Sequence, residues 1–339
     1  MPDGTATAHL YRPKLATTLA EGYGPAALRR DAMAGLTVAI LALPLSMAIA
    51  VASGVSPAQG LVTAIVGGFL VSALGGSRVQ IGGPAGAFIV LVSATVARHG
   101  PEGLALTVLM SGVMLALVGA LRLGGLIRHV PHAVTVGFTT GIAVTIAASQ
   151  LRDLAGLRLA GSEPGPVGEK LLVLAAAAPT LNPAALALGA AVAAFILGLR
   201  RWRPGWPGML FAVVAATLAA WGLGLPVETI GSRFGGIPAG LPAPHLPDMS
   251  PARLADLLPA ALAFTLLGGL ESLLSAKVAD GMTGRVHRSN MELIAQGIAN
   301  VASALFGGIA VTGTIARTAA NVRAGAASPF AGMFHAAFL

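Results

Sequence analysis

The chain contains no cysteine. Disulfides, thiolate metal sites and thiol nucleophiles are therefore excluded. Charge is nearly as scarce: Asp, Glu, Lys and Arg make up 10% of the 339 residues, against about a quarter in an ordinary soluble domain. That deficit, a hydrophobic share of 55% and a mean hydropathy of +0.81 exclude a water-soluble globular fold and describe an integral membrane protein. The seven histidines show no metal-ligand spacing. His129 and His132 straddle Pro131 at a helix start, where interfacial histidines are expected in preference to a metal pair. No nucleophile–base pair stands out, so an enzyme is not expected.

What the sequence does have is a succession of apolar runs. Full spans are expected at residues 32–53, 57–74, 104–121, 130–151, 183–199, 209–223, 252–278 and 292–305, with a further segment beginning near Pro329. The first of these is long enough to cross a bilayer. Pro44 is expected to bend the first, and Gly137 and Gly141, four apart, are a helix-contact signal in the fifth segment. Residues 152–170 read as a polar loop. The reading divides the chain into a cytoplasmic tail (1–30), a first repeat of seven segments (31–223), a Pro/Gly-rich connector (224–250) and the start of a second repeat, segments 8–11 (251–339). The net charge of +8 would suggest nucleic acid in a soluble protein, but its distribution explains it otherwise. With the tail inside, fifteen of the 21 lysines and arginines fall on one side and six on the other, a strong positive-inside bias.

Two stretches interrupt the apolar pattern in the same way. VQIGGPAGAFIVLVSAT, from Val79 to Thr95, places Gly82, Gly83 and Pro84 before an apolar run too short to span. Proline is favoured at the first helical position because its missing N–H would be unpaired there. Pro84 is thus expected to open a half-helix, with the amides of Ala85, Gly86 and Ala87 facing a cavity. LFGGIAVTGTIARTAANVRAG, from Leu305, repeats the arrangement with Gly307, Gly308, a short extended piece, Gly313 and a second short helix. Free N–H groups and the helix dipole make such ends anion sites. Broken helices at membrane depth survive only where they line protein or water, and interrupted segments in corresponding halves point to a transporter site built from inverted repeats. The simpler alternative is a pair of glycine-rich surface turns, which would carry more charge than Val79–Ser93 does.

Glu271, within FTLLGGLESLLSA, lies far from either end of the eighth segment, and a carboxylate at that depth is a functional candidate. Three readings are open: a proton carrier, a sodium ligand together with Ser275 one turn on, or a structural partner of Arg317.

Five ordered stretches, DAMAGLTVAILALPLSMAIAVASGV, GGSRVQIGGPAGAF, VPHAVTVGFTTGIAV, LESLLSAKVADGMTG and FGGIAVTGTIARTAANVRAG, resemble the SulP family of anion permeases, whose animal members include prestin and epithelial anion exchangers. The resemblance covers residues 31–339. It implies an all-α integral membrane protein with the seven-plus-seven inverted-repeat transporter fold shared with nucleobase permeases. Segments 1–4 and 8–11 would form a core domain, segments 5–7 with 12–14 a gate domain, and the two half-helices would meet at mid-membrane. Carried over by matched position, the substrate pocket falls on Leu45 and Ile49, on Pro84, Ala85 and Gly86, and on Gly313, Thr314 and Ile315, with Arg317 beneath. Glu271 and Ser275 would couple transport to an ion. Some members have an aromatic ring where Ile49 and Ala85 stand, so a chloride-specific site is not implied. Sodium-coupled bicarbonate members have a hydroxyl where Ile315 stands, which favours protons here.

The family continues with three more segments and usually a cytoplasmic STAS domain. The chain is therefore expected to be C-terminally incomplete and not to transport by itself. The function implied is secondary active transport of a small anion (sulfate, bicarbonate or a dicarboxylate), proton-coupled, by elevator-like movement of core against gate in a bacterial inner membrane. A nucleobase permease is the first rival, but those tend to carry acids on both segment eight and the second half-helix, and here the latter offers Arg317. The second rival is a voltage-responsive membrane protein without turnover, as prestin shows the fold permits. The partners expected are the bilayer, the anion or carboxylate, and a proton in preference to sodium, with a homodimer as the candidate assembly of the longer protein. Nucleic acid, metals and cofactors are not expected.

Overall fold

The computed structural model describes residues 9–125, 132–161, 167–203, 208–229 and 240–339, with positions 164, 206, 231, 232 and 236 between them. The expectations for His129, Pro131, the start of the fifth segment at Val130 and part of the 224–250 connector lie outside the described residues. In chain order the elements are α1 (Lys14–Ala20), α2 (Pro25–Ala52), α3 (Pro57–Leu74), β1 (Gly82–Gly83), α4 (Gly86–Ala120), α5 (His132–Ala155) and α6 (Val167–Ala176). There follow α7 (Pro183–Trp202), α8 (Gly208–Gly222), α9 (Pro251–Thr283), α10 (Ser289–Leu305), β2 (Thr312–Gly313), α11 (Ile315–Arg323) and α12 (Phe330–Phe338). Among the described residues α2, α3, α4, α7 and α9 are long and apolar enough to cross a membrane.

The helix boundaries follow local chemistry. Pro25, Pro57, Pro183 and Pro251 each stand in the first turn of their helix, where a missing N–H costs nothing. Ser56 and Gln59 form a capping box at the start of α3, and Gly284 ends α9 in the left-handed region at φ 67°. Two expectations need correction. Pro84 does not open the first half-helix: Ala85, extended at φ −123° and ψ 145°, is its cap and Gly86 its first residue, because Gly82 and Gly83 are drawn into a strand pairing just before it. That half-helix also runs on into the next span, broken only where Gly100 turns left-handed at φ 70° before Pro101. The stretch 152–170 is not wholly a loop either. α5 continues to Ala155 and α6 starts at Val167, because the apolar run after Lys170 recruits Gly168, Glu169 and Lys170 as its first turn.

The described residues of 1–132 and 238–339 form one compact unit and those of 133–237 a second, the grouping expected for segments 1–4 and 8–11 against 5–7. In the first unit, glycines let helix backbones touch. A methyl on Gly112 of α4 would stand 2.7 Å from the Gly297 carbonyl oxygen of α10, and one on Gly297 would stand 2.5 Å from that of Gly112. Gly35 likewise lets α2 meet α12, at 2.5 Å from Ala331 O. This is how membrane helices pack when no hydrophobic drive separates helix from lipid. In the second unit, Asn182 caps α7 by accepting from the amides of Ala184 (3.0 Å) and Ala185 (3.3 Å). Lys170 of α6 reaches Ser149 of α5 at 2.7 Å.

Candidate functional site

The two interrupted segments meet. β1 and β2 pair antiparallel with Gly82 opposite Gly313 and Gly83 opposite Thr312, and each strand leads at once into a helix start, at Gly86 and at Ile315. The pairing is locked by polar groups of the second segment. The Thr314 amide (2.9 Å) and hydroxyl (3.2 Å) donate to Ile81 O, and Thr318 Oγ1 accepts from the Ile81 amide at 3.0 Å. Asn321 Nδ2 donates to Val79 O at 2.9 Å. Glycine leaves room for buried polar side chains at the crossing: a methyl on Gly313 would stand 1.5 Å from Gln80 Nε2, and one on Gly83 would stand 2.1 Å from Arg317 Nη1, so either side chain would have to shift.

Arg317 therefore lies directly against the backbone of the first segment. It is 1% exposed, and its one described hydrogen bond runs from Nη2 to Ser46 Oγ of α2 at 3.2 Å. Nε and Nη1 are enclosed without a partner. Glu271 is near enough to act on it as an opposite charge, but with two of its nitrogens unbonded the buried guanidinium is not fully satisfied, and the leading amides of two helices, unpaired within any helix, add positive potential at the same place. Chemically, such an arrangement can hold an anion.

The other expected site residues fall around this junction. Leu45 and Ile49 lie on α2, on either side of buried Ser46 and Met47. Pro84, Ala85, Gly313 and Thr314 are buried, and Gly86 and Ile315 half-buried. Glu271 is half-buried on α9, with Oε2 enclosed and without a partner. No ion pair within 4.0 Å joins it to Arg317 among the described residues. Ser275 is fully buried and donates to Thr318 Oγ1 at 3.3 Å, which ties it to the second half-helix rather than to Glu271.

Several residues that hold the junction were not singled out from sequence. Gln80 Nε2 reaches Ser272 O and Oγ (3.2 and 3.1 Å), and Thr312 Oγ1 reaches Gly268 O at 3.2 Å, fastening both strands to α9. On α10, Asn300 bonds both main-chain groups of Val311 (2.8 and 2.9 Å), and Ser303 donates to Ile309 O at 2.7 Å. Glu292 accepts from the amides of Gly76 (2.8 Å) and Ser77 (3.0 Å). Their signal was available: Glu292, Gln296, Asn300 and Ser303 form one polar stripe at helical spacing on an otherwise apolar helix.

The profile described as the Sulfate permease family matches residues 28–339. YvdB, a candidate sulfate transporter of Bacillus subtilis (strain 168), is 42% identical over 317 residues, which is 93% of this chain and 59% of that protein. The bicarbonate transporter BicA of Picosynechococcus sp. (strain ATCC 27264 / PCC 7002 / PR-6) is 33% identical over 319 residues, 91% of this chain and 56% of that protein. The chain thus spans less than two thirds of the length of these relatives. The transmembrane domain of a cyanobacterium BicA superposes with a TM-score of 0.81 at 31% identity, covering 91% of this chain and 80% of that one. Murine Slc26a9, an anion transporter in the inward-facing state, gives 0.86 at 17% identity over 100% of this chain and 60% of that one, a likeness of fold alone. These neighbours have the inverted-repeat fold, and the mostly helical chain shares it.

Proposed function

The chain belongs to the sulfate permease family, and on that premise we propose that the protein is a multi-pass secondary active transporter of small anions: sulfate, bicarbonate or a dicarboxylate. The observation that carries the reading is the β1–β2 pairing, which brings two helix starts together over the buried, under-partnered Arg317. In this reading the amides leading α4 and α11 and the Arg317 guanidinium hold the anion. Pro84, Ala85, Gly86, Gly313, Thr314 and Ile315 shape its seat, and Leu45 and Ile49 form the apolar wall. A seat made mostly of backbone N–H groups reads charge better than identity, which fits a family whose named members carry sulfate in some cases and bicarbonate in others. A binding screen of sulfate, bicarbonate, chloride, fumarate and succinate tests the class. Saturable binding of one of them, lost in Arg317→Gln, is expected; equal binding by both proteins removes Arg317 from the site.

Coupling runs through Glu271, whose enclosed and unpartnered Oε2 is suited to carry a proton. Sodium is disfavoured because Ile315 offers no hydroxyl oxygen where sodium-coupled bicarbonate members have one. Glu271→Gln is expected to abolish pH-driven uptake in proteoliposomes while anion exchange at equal pH survives; unchanged proton dependence removes the idea. The unit carrying the junction is the moving core of an elevator, and residues 133–237 belong to the gate. The tail lies in the cytoplasm of a bacterial inner-membrane protein, and the protein assembles as a homodimer.

A further inference from the structure

We propose that the Ser77–Arg78 turn, the end of α9 and the loop that follows it form a second anion site, which takes a phosphate-like oxyanion and fastens the N-terminal segment to the turn leading into β1. A solvent-open pocket lies there, lined by Ser77, Arg78, Asp280, Thr283, Arg285 and His287 among others. Its free donors are two guanidiniums and the Ser77 hydroxyl, a set that matches the oxygens of phosphate or sulfate, while the Thr283 hydroxyl is spent on Ala279 O at 2.8 Å. Among the described bonds Arg78 uses only Nη2, on Glu21, and Arg285 only Nη1, on Ala327 O at 2.7 Å. Both forks keep donors to offer.

The one carboxylate in the lining is already engaged. Asp280 Oδ2 stands 2.6 Å from His287 Nδ1 and accepts from the His287 amide at 3.2 Å. With Nδ1 as donor, His287 Nε2 accepts from Ser289 Oγ at 3.0 Å. Further cations crowd behind the cavity. Arg288 Nη1 donates to Arg12 O (2.7 Å) and Thr17 Oγ1 (2.9 Å), and its amide to Gly76 O at 2.9 Å. The Lys14 amide donates to Gly75 O at 2.9 Å. Burial, then the neighbouring Arg288 and Arg78, hold the Lys14 ammonium below its ordinary value, and burial, Arg12 and Arg78 do the same to Arg288. Arg12, Lys14, Arg78, Arg285 and Arg288 thus share one neighbourhood, opposed among the described residues by Glu21, Asp280 and the buried Glu292. A bound anion relieves that repulsion.

Its position gives it a consequence. The turn that lines the cavity is held on one side by Glu292 through the amides of Gly76 and Ser77. Val79, also in the lining, is held by Asn321 of the second half-helix. An occupant therefore braces α1 and the approach to β1 together. None of these residues is in the transport pocket, so the inference does not rest on the transport reading.

Hydrogen exchange at the amides of α1 in the full chain tests it, with inorganic phosphate as the probe. Phosphate at about ten times its dissociation constant is expected to slow that exchange about tenfold in the wild type. In Arg285→Gln the slowing falls below about twofold, and Arg285→Lys restores part of it. Should Arg285→Gln loosen α10 as well, Arg78→Gln decides in its place. A parallel arm in phosphate-free nanodiscs, with or without phosphatidylglycerol in phosphatidylcholine, identifies the source. Slowing by phosphatidylglycerol assigns a lipid headgroup, and slowing by free phosphate alone assigns a dissolved oxyanion. Slowing in neither arm, or slowing that survives in the variants, overturns the proposal.

Discussion

The two limbs that cross at the junction are made of opposite materials. The first, from Val79 to Ala97, has no charged side chain and meets its partner mainly through its main chain: Val79 O, Ile81 N and Ile81 O. The second, from Thr312 to Arg323, presents buried Thr314, Arg317, Thr318 and Asn321, whose side chains supply most of the bonds across the gap. One limb contributes shape and backbone dipoles, the other contributes charge and adhesion. The first limb should therefore tolerate changes of apolar side chain wherever backbone contact is not lost. The second should be sensitive at each buried polar position.

The largest effect breaks the comparison at its crossing point. Gly313→Val forces branched carbon into the place of Gln80 Nε2, which Ser272 holds. The two strands separate, at a cost of about 3 kcal/mol, and anion binding is lost; a thermal melt and a binding isotherm on the purified protein check both. A smaller effect sharpens the contrast. Thr318→Val leaves the Ile81 amide buried without an acceptor, for about 2 kcal/mol, whereas Ile81→Val on the facing limb removes one buried methylene for about 1 kcal/mol. Equal losses in denaturant titrations of the two variants would erase the asymmetry.

The smallest effect lies outside the crossing, at the tail. The Arg78 hydrogen bond holds the exposed Glu21 carboxyl below its ordinary value. The contact is complete at neutral pH, above the value in the unfolded chain, and is lost as pH falls through the lowered folded value. Exchange at α1 is expected to rise only in acid below the usual glutamate range, and Glu21→Gln removes that acid step without moving the global melt.

Much of this was legible in the chain because it rests on local chemistry. The spans expected from residues 57, 183 and 252 begin within a residue of observed helix starts, and the paired glycines announced both interruptions, whereas α2 starts at Pro25, seven residues before the expected first span. Arg317 and Glu271 were conspicuous as charges in apolar surroundings. What was not legible depends on partners far away in sequence. The register of Gly82 on Gly313 could not be read, and so the displacement of the first half-helix start from Pro84 to Gly86 was missed. Gln80, Ser272, Thr318 and Asn321 look like ordinary small polar residues until the fold brings each to an unpaired main-chain group. α6 escaped because its first turn is polar while its stability comes from the apolar residues that follow.

The central claim is that an anion sits where the two helix starts converge above Arg317. The most direct measurement is an anomalous-scattering map of crystals grown with selenate, a heavier analogue of sulfate. The account predicts one peak within hydrogen-bonding distance of the leading amides of α4 and α11 and of the Arg317 guanidinium, absent in Arg317→Gln. Selenate bound elsewhere in the first unit, with that junction empty, would contradict it.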